Sequence, residues 1–252
     1  MNNRAIVKAK AQRFLQLFGI EVRRSPSGRR YLGKALAEID QRGGEGAIDQ
    51  LVFKHFFDGS PAGVFVEVGA ARPDFLSISA LFRENGWRVV AVEPNPIFCE
   101  AHRKQGHEIL QYACGETDSD GVDFSIVHSH DGSMVSNESF SSLSIKPSYR
   151  ALKQDLEIEI IQVNLRRLDS IMAQYAPEID RVDCCSIDTE GWELEVLKGF
   201  DLDKFRPRVL IIENLMNDQT YRDYMKNKGY KLWLTLMPNE IYVREEEKKA
   251  IS

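Results

Sequence analysis

One block of the chain gathers acids densely: Asp188-Thr189-Glu190-Gly191-Trp192-Glu193-Leu194-Glu195 follows directly on the apolar run from Val182 to Ile187. A strand over that run would put Asp188 and Glu190 at its carboxyl end, where open α/β sheets bind their ligands. A second run, Val209 to Ile212, leads into Glu213-Asn214 and adds a third carboxylate. Acids crowded at one cleft repel one another, so a cation, a shifted proton affinity or a polar substrate should accompany them. Such a set can act as a general base on a hydroxyl, or hold a hard divalent ion through oxygen. No further metal ligand with clear spacing accompanies them, which favours direct carboxylate action. Glu193 reads instead as a cap on the following helix, where acids favour the N-terminal dipole.

A different pair of residues speaks to a cofactor. The run Val64 to Val68 stops at Gly69 and continues as Ala70-Ala71-Arg72-Pro73-Asp74. Glycine at a first strand-to-loop turn lets backbone and ligand approach closely. A dinucleotide pyrophosphate would call for G-x-G-x-x-G, whereas Gly69 stands alone, with Arg72 and Pro73 where small residues belong. Glu93, 24 residues on, ends the run Arg88 to Val92, and a carboxylate there can accept both hydroxyls of a ribose. A cofactor with a ribose and no phosphate is S-adenosylmethionine, which this combination fits better than a nicotinamide dinucleotide. His128 and His130, where a Ser-rich stretch begins, are candidates for a mobile general base, because imidazole titrates near neutral pH.

These residues need a scaffold, and the chain offers an α/β one. From Val64 the pattern alternates: runs at Val64 to Val68, Arg88 to Val92, Glu108 to Tyr112, Val182 to Ile187 and Val209 to Ile212 are separated by helical patterns. Helices are expected through Leu81 to Asn85, after Pro96 to about Gln105, and over Leu168 to Tyr175, about Trp192 to Lys198 and about Gln219 to Lys228. Strands joined by helices predict a doubly wound, mostly parallel sheet covered on both faces. The last two runs, Lys231 to Leu236 and Ile241 to Arg244, are separated by four residues, too few for a helical crossover, so an antiparallel edge hairpin is expected. Val122 to Val127 and Ile158 to Leu165 look extended and bracket the polar stretch Ser129 to Ser148, whose length suggests a lid or acceptor loop.

Charge divides the chain. Net charge is −5, which argues against wholesale nucleic-acid binding. Yet residues 1–34 carry nine Lys or Arg and one acid, leaving −13 for the remainder. Val7, Ala11, Phe14, Leu15 and Phe18 fall at helical spacing, so residues 1–60 read as a basic helical extension and residues 61–252 as the catalytic domain, with a loop inserted at about 115–165. A basic amphipathic helix suits packing on its own domain, or peripheral contact with an anionic membrane. The four cysteines lack metal-ligand spacing and read as buried thiols. No run approaches the ~18 apolar residues of a membrane span, and the N-terminus lacks the apolar core of a secretion signal, so a cytoplasmic location is expected.

Five blocks in order, Phe65-Val66-Glu67-Val68-Gly69-Ala70, Val92-Glu93-Pro94-Asn95-Pro96, Leu168-Asp169-Ser170, Ser186-Ile187-Asp188-Thr189-Glu190-Gly191 with Glu193 to Gly199, and Ile212-Glu213, resemble those of the FkbM-type methyltransferase family. The resemblance spans roughly Val64 to Glu213 and leaves the N-terminal segment outside. It implies a class I, Rossmann-like, S-adenosylmethionine-dependent methyltransferase, usually an O-methyltransferase of sugars, glycans or secondary metabolites. On it, Glu67, Gly69, Ala70, Glu93, Pro94, Asn95 and Asp188 would contact the cofactor, and Asp188, Glu190 and Glu213 would serve catalysis, with His128 a candidate base from its place beside the Ser-rich stretch, outside the matching blocks. The family commonly has Asp where Glu67 stands. A non-catalytic nucleoside-binding module is the main alternative; the missing glycines and the terminal hairpin count against a nicotinamide-dependent oxidoreductase.

Overall fold

The computed structural model describes residues 47–73, 77–128, 143 and 157–245. The expected N-terminal helix, His130 and nearly all of the Ser129 to Ser148 stretch lie outside the described residues. Among the described residues the first element is α1 (Ile48–Val52), which runs on into a π-helical turn, Phe53–Phe57. There follow β1 (Val64–Val68), α2 (Ser79–Glu84), β2 (Arg88–Val92), α3 (Pro96–Lys104), β3 (Ala113–Cys114), β4 (Ser119–His128) and β5 (Glu157–Arg166). The second half comprises α4 (Leu168–Tyr175), β6 (Cys184–Ile187), α5 (Glu193–Lys198), α6 (Leu202–Phe205), β7 (Val209–Glu213), α7 (Gln219–Asn227), β8 (Tyr230–Leu236) and β9 (Asn239–Arg244).

The main sheet runs β2-β1-β6-β7-β9-β8. Its first four strands are parallel, and β9 is antiparallel to both β7 and β8. This is the doubly wound sheet with an antiparallel edge hairpin that the sequence pattern implies. Alternate side chains of the central strands reach opposite faces, as the two-residue period of a strand requires. On one face Val66, Val68, Val90, Val92, Leu210 and Ile212 pack with Leu168, Ile171, Leu197 and Met225 of the helices. On the other, Phe65, Val89, Ala91, Val209 and Ile211 meet Phe82, Trp87 and the whole segment Ile48, Leu51, Val52, Phe56 and Phe57. That segment is part of the core rather than an appendage, and Arg208 donates to the Phe56 carbonyl at 2.8 Å.

One expectation changes. The run Glu108 to Tyr112 is not a full strand: it makes a single parallel bridge, Val92 to Leu110, because the chain then turns away to form β3, which pairs with β5 instead. The two extended segments around the Ser-rich stretch pair with each other over most of their length and, with β3, make a second sheet of order β3-β5-β4. Phe124, Ile126, Val163 and Ala113 form its own small core. All four cysteines are buried free thiols, as read.

Candidate active site

The carboxyl ends of four adjacent parallel strands, β2, β1, β6 and β7, make one rim of the sheet. At the end of β1, Glu67 is buried and accepts from the Ser79 amide at 3.1 Å and from the Ser79 hydroxyl, which Arg83 approaches in turn. Burial raises its proton affinity, and Arg83 and Ser79 oppose that rise. Glu67 is therefore anchored to α2 beneath the loop.

Gly69 follows at φ +80°. A Cβ there would stand 1.7 Å from the Asp188 carbonyl oxygen, so the close approach that Gly69 permits is first of all to the chain itself. Asp188 N–H donates to the Val68 carbonyl at 3.0 Å, and the amides of Gly69 and Ala70 both donate to Val92 O. The ends of β2, β1 and β6 are thereby drawn together.

Glu93, at the end of β2, is buried and bridges two loops. Its carboxylate accepts from Ala71 N–H (2.9 Å) and from Asn95 N–H (2.8 Å). Asn95 in turn caps α3 by accepting from Ile97 N–H at 2.9 Å, with Pro96 at the first helical position. Burial pushes the Glu93 carboxyl up to about 7, against the two backbone hydrogen bonds that favour its ionised form. A carboxylate with one donor on each oxygen keeps lone pairs for further hydroxyl donors.

Asp188 and Glu190 lie just beyond β6, and Glu213 ends the neighbouring β7. Carboxylate oxygens from the three, one from each, all lie within 4.8 Å of one another. The two strands meet in register, Ile187 beside Ile212, which fixes that convergence. Glu190 sits in the left-handed region at φ +55° and is followed by Gly191 at φ +99°; for a non-glycine residue this conformation costs about 1–2 kcal/mol. Of the other candidates, Pro94 is half-buried, and His128 is the last residue of β4 rather than part of a loop.

Glu193 differs from its expected part. It does not cap α5: its carboxylate turns back to accept from Thr189 and Gly191, and from the hydroxyl of Tyr221 on α7. A second buried polar group, on α3, has no signal in the sequence. His102 of α3 is fully buried, its Nδ1 lies 3.4 Å from His107 Nδ1, and burial, then Arg83 and His107, push its pKa down to about 4. Its carbonyl neighbours Ala70 and Ala71 belong to the Gly69 loop. In sequence, Arg83, His102 and Tyr221 are polar residues of amphipathic helices, with no spacing that sets them apart.

Comparison with known proteins adds a family-level finding. A sequence profile described as the Methyltransferase FkbM domain matches residues 67–232. Among solved structures, the chain is similar to the methyltransferase FkbM from Methylobacillus flagellatus KT, at 14% identity and a TM-score of 0.46, over 77% of this chain and 50% of that one. The chain thus spans half the length of that protein. No curated protein matches it.

Proposed function

Because this chain belongs to the FkbM methyltransferase family, we propose that it transfers a methyl group from S-adenosylmethionine to a hydroxyl of a sugar, glycan or secondary metabolite. The observation that carries this reading is the convergence of Asp188, Glu190 and Glu213 on the same strand-end rim as the bridging carboxylate of Glu93.

The donor set suits the cofactor. Glu93 offers a pair of carboxylate oxygens, already oriented by Ala71 and Asn95, for two vicinal hydroxyls of a ribose. Gly69, Ala70, Pro94 and Asn95 supply backbone and small surfaces beside it, while Glu67 steadies the loop from below through Ser79. S-adenosylmethionine, when bound, supplies an electrophilic methyl group on a sulfonium. An aliphatic hydroxyl is a weak nucleophile at neutral pH, so a positioned base helps. In this reading the hydroxyl proton passes to a carboxylate of the Asp188, Glu190 and Glu213 set. The new O–C bond forms as the C–S bond breaks, with its electron pair going to sulfur. The same three oxygens are close enough to hold a hard divalent cation, a second reading that a chelator separates from the first. His128, on β4, is a further candidate base.

The catalytic unit is taken to begin before Ile48, since Ile48 to Phe57 packs in its core. Residues ahead of it are the basic extension, proposed to pack on its own domain, with peripheral contact to an anionic membrane surface as the alternative. The acceptor is a small molecule or glycan rather than a nucleic acid, and the location is cytoplasmic; among the described residues no helix is long and apolar enough to cross a membrane. Calorimetric titration with S-adenosylmethionine, then transfer of its labelled methyl group to a panel of hydroxyl acceptors, tests the reading. Binding without transfer would favour the nucleoside-binding alternative, and no binding would remove the cofactor argument.

A further inference from the structure

The Glu193 carboxylate is almost completely buried, yet every bond it makes faces away from its own helix. Oε1 accepts from Thr189 N–H at 3.0 Å, Thr189 Oγ1 at 3.3 Å and Gly191 N–H at 2.8 Å. Oε2 accepts from the Tyr221 hydroxyl at 2.6 Å. Thr189 and Gly191 are the two neighbours of Glu190, so the carboxylate grips the backbone on both sides of the residue that adopts the left-handed conformation. Strained positions of this kind persist only where the surroundings hold them.

Tyr221 is anchored from the other wall of the cluster. It lies on α7, which follows Glu213 through a turn closed by Asn214: Asn214 Oδ1 accepts from Asp218 N–H at 2.8 Å, and its amide donates to Asp218 O at 3.0 Å. Asp218 then caps α7 by accepting from Thr220 N–H at 2.9 Å. Burial, then Glu193, pushes the Tyr221 hydroxyl far up, so it remains a neutral donor.

We infer that Glu193 and Tyr221 form a positioning clamp: they hold the Asp188 to Gly191 loop in the turn that carries Glu190 into the carboxylate cluster, and they tie that loop to the helix behind Glu213. The inference deepens the proposed methyl transfer and rests on it for its bearing on catalysis. Glu193 itself is a positioning residue. Four donors from the chain itself meet its two oxygens, so it acts through the loop and helix that it holds.

Tyr221→Phe removes one hydroxyl and keeps the ring. Hydrogen–deuterium exchange on the wild-type and variant chains, read over residues 188–192, is paired with steady-state kinetics using S-adenosylmethionine and a hydroxyl acceptor that the wild type methylates. Exchange at Thr189 and Gly191 should quicken by about tenfold or more, and kcat should fall roughly 10- to 100-fold, while S-adenosylmethionine affinity stays within about twofold. Glu193→Ala, which removes the acceptor from Thr189, Gly191 and Tyr221 together, should give the same pattern and stands in should Tyr221→Phe not fold. Unchanged exchange in a folded variant overturns the clamp. Quickened exchange with an unchanged kcat overturns its part in the reaction. A wild-type chain that methylates no acceptor defeats the proposed function alone, because the exchange comparison still decides the clamp.

Discussion

The carbonyl oxygen of Asp188 occupies the space where a side chain on residue 69 would begin: a Cβ built on Gly69 would lie 1.7 Å from it. The ends of β1 and β6 therefore fit together only with glycine at this position. Gly69→Ala should destabilise the chain by about 2–4 kcal/mol, combining overpacking with a left-handed backbone. Gly59 is the control, because it too has positive φ, +71°, but nothing lies within 4 Å of a Cβ there. Gly59→Ala should cost only about 1 kcal/mol. Equal losses in urea denaturation would show that the contact with Asp188 is unimportant.

Glu93 should make both cofactor affinity and stability depend on pH. Its carboxyl, raised to about 7 by burial, keeps a proton that the unfolded chain gives up near 4.5. Its contribution to stability is thus full below about 4.5 and is lost as pH rises through about 7. Ribose hydroxyls prefer the ionised acceptor, so S-adenosylmethionine should bind more tightly as pH rises across the same upper limit. Glu93→Ala should weaken that binding by about 1.5–3 kcal/mol above neutral pH. Calorimetry between pH 6 and 8 that finds the same affinity in the folded variant as in the wild type would remove Glu93 from the cofactor site.

His102 should give the opposite slope. Its pKa is pushed down to about 4, below the 6.5 of an unperturbed imidazole, so the unfolded chain takes up a proton that the folded chain refuses. The stability this contributes is full above about 6.5 and is lost as pH falls toward 4. His102→Gln should flatten the decline of the urea midpoint over that interval. An unaltered decline would place the acid sensitivity elsewhere.

Asp188→Asn keeps the shape of the side chain and removes its charge. On a verified acceptor it should lower turnover by about 10²-fold, the scale of general acid–base catalysis, with the fold intact. Wild-type activity that survives a chelator favours the direct base; activity that a chelator abolishes and a divalent cation restores favours the metal. Full activity in Asp188→Asn, with or without chelator, would make the cluster structural.

The parallel strands were legible because buried strands are written locally, as short apolar runs ended by glycine or an acid. Asp188, Glu190 and Glu213 could be brought together on paper for the same reason: each follows such a run, and parallel neighbours deliver their ends to one side. Pairing that depends on distant partners was not legible. Glu108 to Tyr112 has the composition of a strand, but the competing union of Ala113 with Leu165 pulls the chain out of the main sheet after one bridge. Glu193 misled because an acid at a helix start has a ready local use, whereas its carboxylate turns back to Thr189 and Gly191 and also meets Tyr221, 28 residues away. The depressed proton affinity of His102 arises first from its burial and then from the charges of Arg83 and His107, none of which the spacing along α3 reveals.

The strand order also dictates when the sheet can be finished. β9 comes after β8 in the chain but lies inside it, between β7 and β8. On a ribosome, β7 would therefore wait with an open edge, and β8 would have no place to pair, until Asn239 to Arg244 had left the exit tunnel. Domains generally fold as units, and here the wall that carries Glu213 is closed by the last strand of the sheet to be synthesised. A ribosome stalled short of residue 239 would hold a chain in which the edge of β7 stays exposed, a state that chaperones and proteases would recognise by its bare strand edge.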